Sequence, residues 1–113
     1  MTTADAWGED ASGTLIIAGH LRMPAGNVAA LAEAATTMME ATMAEPGCLD
    51  YTFAEVIGDP GCIRIFERWA SQEALAEHFA SPHMAAFQQA IGGAGITGGD
   101  VVKYTVDRKG PVM

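Results

Sequence analysis

The distribution of apolar residues along the chain predicts four β-strands. Each segment is rich in β-branched or aromatic residues, and in the third of them charged residues are set between apolar ones. The segments span residues 14–23, 49–57, 62–69 and 101–106. A Gly-Asp-Pro-Gly sequence at residues 58–61 lies between the second and third segments. Because these residues favour a tight turn, the two segments are predicted to form a β-hairpin.

Apolar residues at helical spacing predict two helical regions between the strands. A stripe over residues 28–42 predicts the first helix, with Asn27 as its N-cap and Gly47 at its end. The second region follows the third strand, where Ser71 is a favourable N-cap. Ser81-Pro82 then restarts the helix, since proline fits the first helical position. The second region is therefore predicted to be a kinked pair of short helices.

The order of these elements, β-α-β-β-α-β, is typical of the α+β ferredoxin-like fold, also called the split βαβ fold. In this fold the helices cover one face of an antiparallel sheet, and the other face is left uncovered. We expect Ile63, Ile65 and Val101 on the uncovered face, where a single copy would expose them to water. Two copies packed sheet against sheet would bury this face, so we expect a homodimer.

Composition and charge narrow the class of protein. The 113 residues allow one domain. We place it at residues 14–107, after a disordered acidic lead-in (1–13) and before a C-terminal tail (108–113). The net charge of −8 argues against nucleic acid or an anionic membrane surface as partner. No apolar run is long enough to span a membrane, and residues 1–13 lack the features of a signal peptide. We therefore expect a cytoplasmic protein, in which Cys48 and Cys62 serve as small hydrophobic side chains.

Three motifs resemble those of the antibiotic biosynthesis monooxygenase family, a set of small dimeric α/β-barrel proteins. They are Glu45-Pro46-Gly47-Cys48-Leu49-Asp50-Tyr51, Phe66-Glu67-Arg68-Trp69 and the segment from Ser71 to His83. Their order and spacing match the family from about Gly13 to Asp107. The resemblance implies a dimeric α/β barrel with a pocket between the sheet and the helices.

Three residues are candidates for catalysis. His78, predicted to be half-exposed on a helix, could accept a proton near neutral pH, or it could simply hydrogen-bond to backbone near Ser81-Pro82. The residues alone favour the structural role, and the resemblance brings the two roles level, because the family often has a histidine there. His20 lies within an apolar strand and is either a satisfied core histidine or a pocket residue. Tyr51 could donate a hydrogen bond to a substrate oxygen.

Aromatic and sulfur-containing side chains near these candidates could wall a flat ligand, or could belong to an ordinary core. The residues assigned to the substrate pocket are Trp69, Phe66, Phe79, Met84 and His83. Glu67 is expected to form an ion pair at the dimer seam rather than to act as an acid.

No metal and no cofactor is expected. His83 follows His78 by five residues, which is the wrong spacing for two ligands on successive turns of one helix. The haem-degrading branch of the family usually has asparagine at the position of His20, tryptophan at that of His78 and a haem-ligating histidine near Gln88. These three departures argue against haem.

If the resemblance extends to activity, it implies a cofactor-independent monooxygenase that oxidises a small electron-rich aromatic, of quinol or anthrone type, with O2. Such a substrate, once deprotonated, reduces O2 itself, so the protein needs a base, a dry pocket and hydrogen-bond donors. His78 would be the base, and Tyr51 or His20 the donor. Two alternatives stay open: a non-catalytic dimer that binds a small apolar metabolite, and an isomerase of a small carbonyl metabolite that uses His78 and His20.

Overall fold

The structure, a computed structural model, describes residues 8–112. Within these residues the chain forms six strands and three helices. The strands are β1 (Glu9–Asp10), β2 (Leu15–Arg22), β3 (Cys48–Glu55), β4 (Cys62–Trp69), β5 (Gly98–Thr105) and β6 (Arg108–Lys109). The helices are α1 (Ala25–Met43), α2 (Gln72–Phe79) and α3 (Pro82–Gly92). None of these helices is long and apolar enough to cross a membrane.

The main sheet has four antiparallel strands in the order β3-β4-β2-β5. Helix α1 packs against β3 and α3, and the helices cover one face of the sheet. This arrangement is the predicted α+β ferredoxin-like fold, and the predicted hairpin is the β3–β4 pair. β1 and β6 pair with each other in a separate two-stranded sheet, a pairing that the sequence did not indicate. Residues 1–7 of the predicted lead-in lie outside the described residues.

The alternation of side chains in β4 decides which residues face the helices. Ile65, Glu67 and Trp69 are buried on the helix side, whereas Phe66 points to the other face. The expectation that Ile63 and Ile65 lie on the uncovered face was therefore wrong. Alternate residues of a strand point to the same face, so Ile63 and Ile65 point to the helix side with buried Trp69. The apolar members of the uncovered face are Ile16, Ala18, Ala54, Phe66, Val102 and Tyr104. Val101 pairs with Gly19 on the helix side, and its exposure of 44% reflects its place in an edge strand.

The helix starts agree with two of the three predicted caps. Ser71 Oγ accepts the backbone N–H of Ala74, and Ser81 Oγ accepts that of Met84. Asn27 is not the cap of α1, which begins two residues earlier at Ala25. Its amide instead donates to the carbonyl of Ala94, tying the first turn of α1 to the segment after α3.

Candidate functional site

A carboxylate and two histidines converge where α1, α2 and α3 meet. Glu45 Oε2 lies 2.7 Å from His78 Nδ1 and 2.7 Å from His83 Nε2. We call these three residues the His-Glu-His cluster. Glu45 is in the short connection after α1, and Gly47 shapes this connection by adopting a left-handed conformation with φ 83°.

The break between α2 and α3 brings the two histidines together. Ser81 Oγ donates to the carbonyl of His78 at 2.7 Å and also caps α3, so the chain turns sharply there. The argument that a five-residue spacing excludes two ligands was therefore wrong, because it treated His78 and His83 as residues of one helix. The sequence prediction also missed Glu45, although the residue opens the first of the three motifs.

His78 is buried. Only 1% of the residue is exposed, so the expectation of a half-exposed histidine was wrong. The Trp69 ring lies over the imidazole with the centroids 4.7 Å apart, and Tyr51 meets it edge-on at 5.2 Å. The imidazole is therefore held by two aromatic rings and one carboxylate.

Tyr51 is placed to act as a donor rather than as a base. The residue is buried, and this burial, together with the charges of Glu67 and Glu45, raises the pKa of the Tyr51 hydroxyl well above its ordinary value. The hydroxyl therefore keeps its proton at neutral pH.

Glu67 lies in the core and not at a dimer seam. It faces the helices opposite Tyr51, and its Oε1 accepts the indole N–H of Trp69 at 2.9 Å. Burial raises the pKa of Glu67 from 4.5 to about 7, the charge of Glu45 adds to this rise, and the Trp69 hydrogen bond opposes it. The expected ion pair is thus corrected: Glu67 makes no ion pair with lysine or arginine in residues 8–112.

The other predicted site residues are dispersed. Phe66 and His20 lie on the uncovered face, where His20 pairs in register with Arg64. Phe79 is 58% exposed, although its ring is 5.8 Å from that of His78. Met84 is half-buried against the core. The structure thus brings together Tyr51, Trp69, His78 and His83, and it separates Phe66 and His20 from them.

An apolar cavity of about 250 Å³ lies between α1 and the sheet. Phe53 and Phe87 form one wall, their rings stacked with centroids 5.2 Å apart. Thr36 and Glu55 are the polar side chains of the lining. None of the site residues predicted from the sequence lines it, because a cavity built from leucine, alanine, isoleucine and methionine has the same pattern as an ordinary core.

Tyr51 links the cavity to the His-Glu-His cluster. Its ring meets Phe53 edge-on at 5.1 Å on one side and His78 at 5.2 Å on the other. The candidate site therefore has two parts: an apolar cavity that can hold a small, flat ligand, and a polar cluster on the far side of Tyr51, in which His78 is buried and His83 is partly exposed. At this volume the cavity is just below the range of roughly 300–1,000 Å³ that holds drug-sized ligands, so it suits a small, flat aromatic molecule.

Family models and solved structures point to the same family for this chain. The family model described as antibiotic biosynthesis monooxygenase matches residues 14–90. A solved protein of Deinococcus radiodurans, assigned by name to that family, is 27% identical with a TM-score of 0.80, and the match covers 88% of this chain and 98% of that one. Rv0793 from Mycobacterium tuberculosis is 26% identical with a TM-score of 0.76, over 87% of this chain and 99% of that one.

A curated relative, the uncharacterised protein sll1783 of Synechocystis, is 28% identical over 82 residues. The match covers 70% of this chain but 56% of the relative, so the chain spans little more than half of that protein.

Proposed function

Because the chain belongs to the antibiotic biosynthesis monooxygenase family, we propose that it is a cofactor-independent monooxygenase that oxidises a small electron-rich aromatic of quinol or anthrone type. The observation that carries this proposal is the apolar cavity walled by Phe53 and Phe87. A stacked aromatic wall suits a flat ring, and an apolar lining keeps water from a reactive substrate anion.

The proposed reaction balances without an external reductant. In an anthrone, removal of a proton from the CH2 carbon gives an anion that transfers electrons to O2. One oxygen atom then forms the carbonyl of the quinone product, and the other leaves as water with the two hydrogens of the CH2 group. The substrate carbon supplies all four electrons, and the protein supplies a base and a dry binding site.

Glu55 is the residue we assign as base. Glu55 is an exposed residue at the edge of the cavity lining, and its Oε2 accepts the backbone N–H of Gly61 at 3.4 Å. His78 does not line the cavity, because the rings of Tyr51 and Phe53 lie between the His78 imidazole and the cavity. In this arrangement His78 supports the aromatic wall, so we treat it as a positioning residue.

Oxygen consumption by chelator-treated protein, measured with a panel of anthrones and quinols, tests this proposal. We expect uptake above the rate of spontaneous oxidation, and a rate about 100-fold lower in Glu55→Gln, as is typical when a general base is removed. An unchanged rate in Glu55→Gln would remove Glu55 from the base role; a loss in His78→Gln would not by itself make His78 the base, because His78 also supports Tyr51. No uptake by the wild-type protein would contradict the proposal itself.

The two alternative functions fare differently. A non-catalytic binder of a small apolar molecule would use the same cavity, and it would bind quinones without consuming oxygen. An isomerase that uses His78 and His20 together is not supported, because these residues lie on opposite faces of the sheet.

We also propose that two copies pair through the uncovered face of the sheet. Phe66, Val102 and Tyr104 lie there beside Arg68 and Asp50, so the surface offers apolar area with charges of both signs. Sedimentation velocity should show a dimer for the wild-type protein and a monomer for Val102→Asp. Ile57→Asp is the matched control, because Ile57 is 99% exposed in a turn outside this face. A dimer that survives Val102→Asp would argue against this interface.

A cytoplasmic location is part of the same proposal. Cys48 and Cys62 are both free thiols, which suits a reducing compartment. Fractionation of the source cells with an antibody to the chain would test it, and recovery outside the cytoplasm would contradict it.

A further inference from the structure

We propose that the His-Glu-His cluster is a binding site for one divalent transition-metal ion of the zinc or ferrous class. Glu45, His78 and His83 each offer one ligand atom, and these three atoms lie within 4.8 Å of one another. Two imidazole nitrogens and one carboxylate oxygen form a donor set that such ions prefer over calcium or magnesium.

The two nitrogen–oxygen distances at Glu45 need only a small adjustment to accept an ion. With bonds of about 2.1 Å, two ligand atoms around a metal are about 3.0–3.4 Å apart. The two nitrogen–oxygen distances at Glu45 Oε2 are 2.7 Å, so each must widen by about half an ångström. Glu45 follows the end of α1 and His83 is 23% exposed, so both can move by this amount without disturbing the core around His78.

The charge of the surroundings also favours a cation. Glu67 accepts the indole N–H of Trp69, whose ring packs on His78, so a second carboxyl group lies close to the cluster besides that of Glu45. In the part of the chain that the structure describes, the ion pairs of arginine and lysine all lie elsewhere. A divalent ion would add positive charge beside these two carboxyl groups.

The cluster has a route to solvent and a clear structural consequence. His83 lines a groove between α1 and α3, which gives an ion access and leaves room for water at the remaining coordination positions of the ion.

The three ligands come from the connection after α1, from α2 and from α3, so one ion would tie together all three helices. This site lies behind the Tyr51–Phe53 wall, and its occupancy is independent of the proposed oxygenation in the cavity.

The test is a titration of tag-free, chelator-treated protein with Co2+ and then Zn2+. We expect one Co2+ per chain, with visible absorption bands of a nitrogen- and oxygen-ligated ion, and displacement by Zn2+. We also expect Zn2+ to raise the Tm by about 10 °C at a hundredfold excess over Kd.

Variants locate the site. Mutating a residue that only hydrogen-bonds to a metal ligand typically weakens metal binding by about 10–100-fold. Glu45→Gln and His83→Gln remove ligands themselves, so each should weaken Co2+ binding by more than that. His20→Gln is the matched control, because His20 lies on the opposite face of the sheet and should leave binding unchanged. Both ligand variants are at partly exposed positions, and their circular dichroism spectra will show that they fold.

Two results would overturn the proposal. One is the absence of Co2+ and Zn2+ binding, which would mean that Glu45 only pairs with the two imidazoles through hydrogen bonds. The other is binding that persists in Glu45→Gln and His83→Gln but disappears in His20→Gln. Neither result concerns oxygen consumption, so the metal-site proposal and the oxygenase proposal are tested independently of each other.

Discussion

Replacing Trp69 with alanine is expected to lower the free energy of unfolding by about 3–5 kcal/mol, the usual cost of removing a large buried aromatic. Trp69 is fully buried, packs over His78 and donates its indole N–H to Glu67. Its loss leaves a cavity and a buried carboxyl without its donor. Urea unfolding followed by circular dichroism measures the change. Phe79→Ala, at a 58% exposed aromatic, should change stability by less than about 1 kcal/mol.

Trp69→Phe separates the hydrogen bond from the packing, and its cost should depend on pH. The Trp69 N–H stabilises the charged form of Glu67, whose pKa is raised to about 7 by burial. At pH 5 the folded protein holds Glu67 protonated, and the donor matters little. At pH 8 the carboxylate is charged, and losing its donor costs about 1–3 kcal/mol. We therefore expect Trp69→Phe to be more destabilising at pH 8 than at pH 5.

An equal cost of Trp69→Phe at pH 5 and pH 8 would mean that Glu67 is charged in the folded protein even at pH 5. A loss below about 1 kcal/mol in Trp69→Ala would contradict the packing of Trp69 between the sheet and His78. Both measurements use chelator-treated protein, so that an ion at the His-Glu-His cluster does not mask the change.

Filling the cavity with Ala35→Phe is expected to abolish binding of small aromatic ligands and to lower the rate of their oxidation at least tenfold. Ala35 lies on α1 and lines the cavity, so a phenylalanine ring there occupies the space of the ligand. Because the ring enters existing empty volume, the stability change should be smaller than the roughly 1–3 kcal/mol typical of overpacked cores.

The matched control is Ala29→Phe, on the exposed side of the same helix, which should bind and turn over ligands as the wild-type protein does. Isothermal titration calorimetry with a quinone measures binding, and an oxygen electrode measures turnover. Normal turnover in Ala35→Phe would show that the reaction takes place elsewhere.

The fold could be predicted from the sequence because its signals are local. The hairpin turn at residues 58–61 and the caps Ser71 and Ser81 act through neighbouring residues, and all of them are present in the structure. The facing of β4 was harder to predict. Its sequence is apolar at Ile65 and also at Phe66, so alternation alone did not show which face is buried.

The site could be predicted only in part, for two physical reasons. The His-Glu-His cluster depends on a helix break that was itself predicted at Ser81-Pro82, but its effect on the distance between His78 and His83 is tertiary. The cavity depends on a packing defect between α1 and the sheet, and alanines such as Ala35 look the same in the sequence whether or not the space beside them is filled.

The most direct test of the central claim, that a small aromatic is oxidised inside the α1–sheet cavity, is product analysis after reaction of an anthrone with isotopically labelled O2. For the wild-type protein we predict one O2 consumed per anthrone and one labelled oxygen atom in the quinone, with only the spontaneous rate for Ala35→Phe. Equal rates for the two proteins, or a quinone without label, would contradict the account.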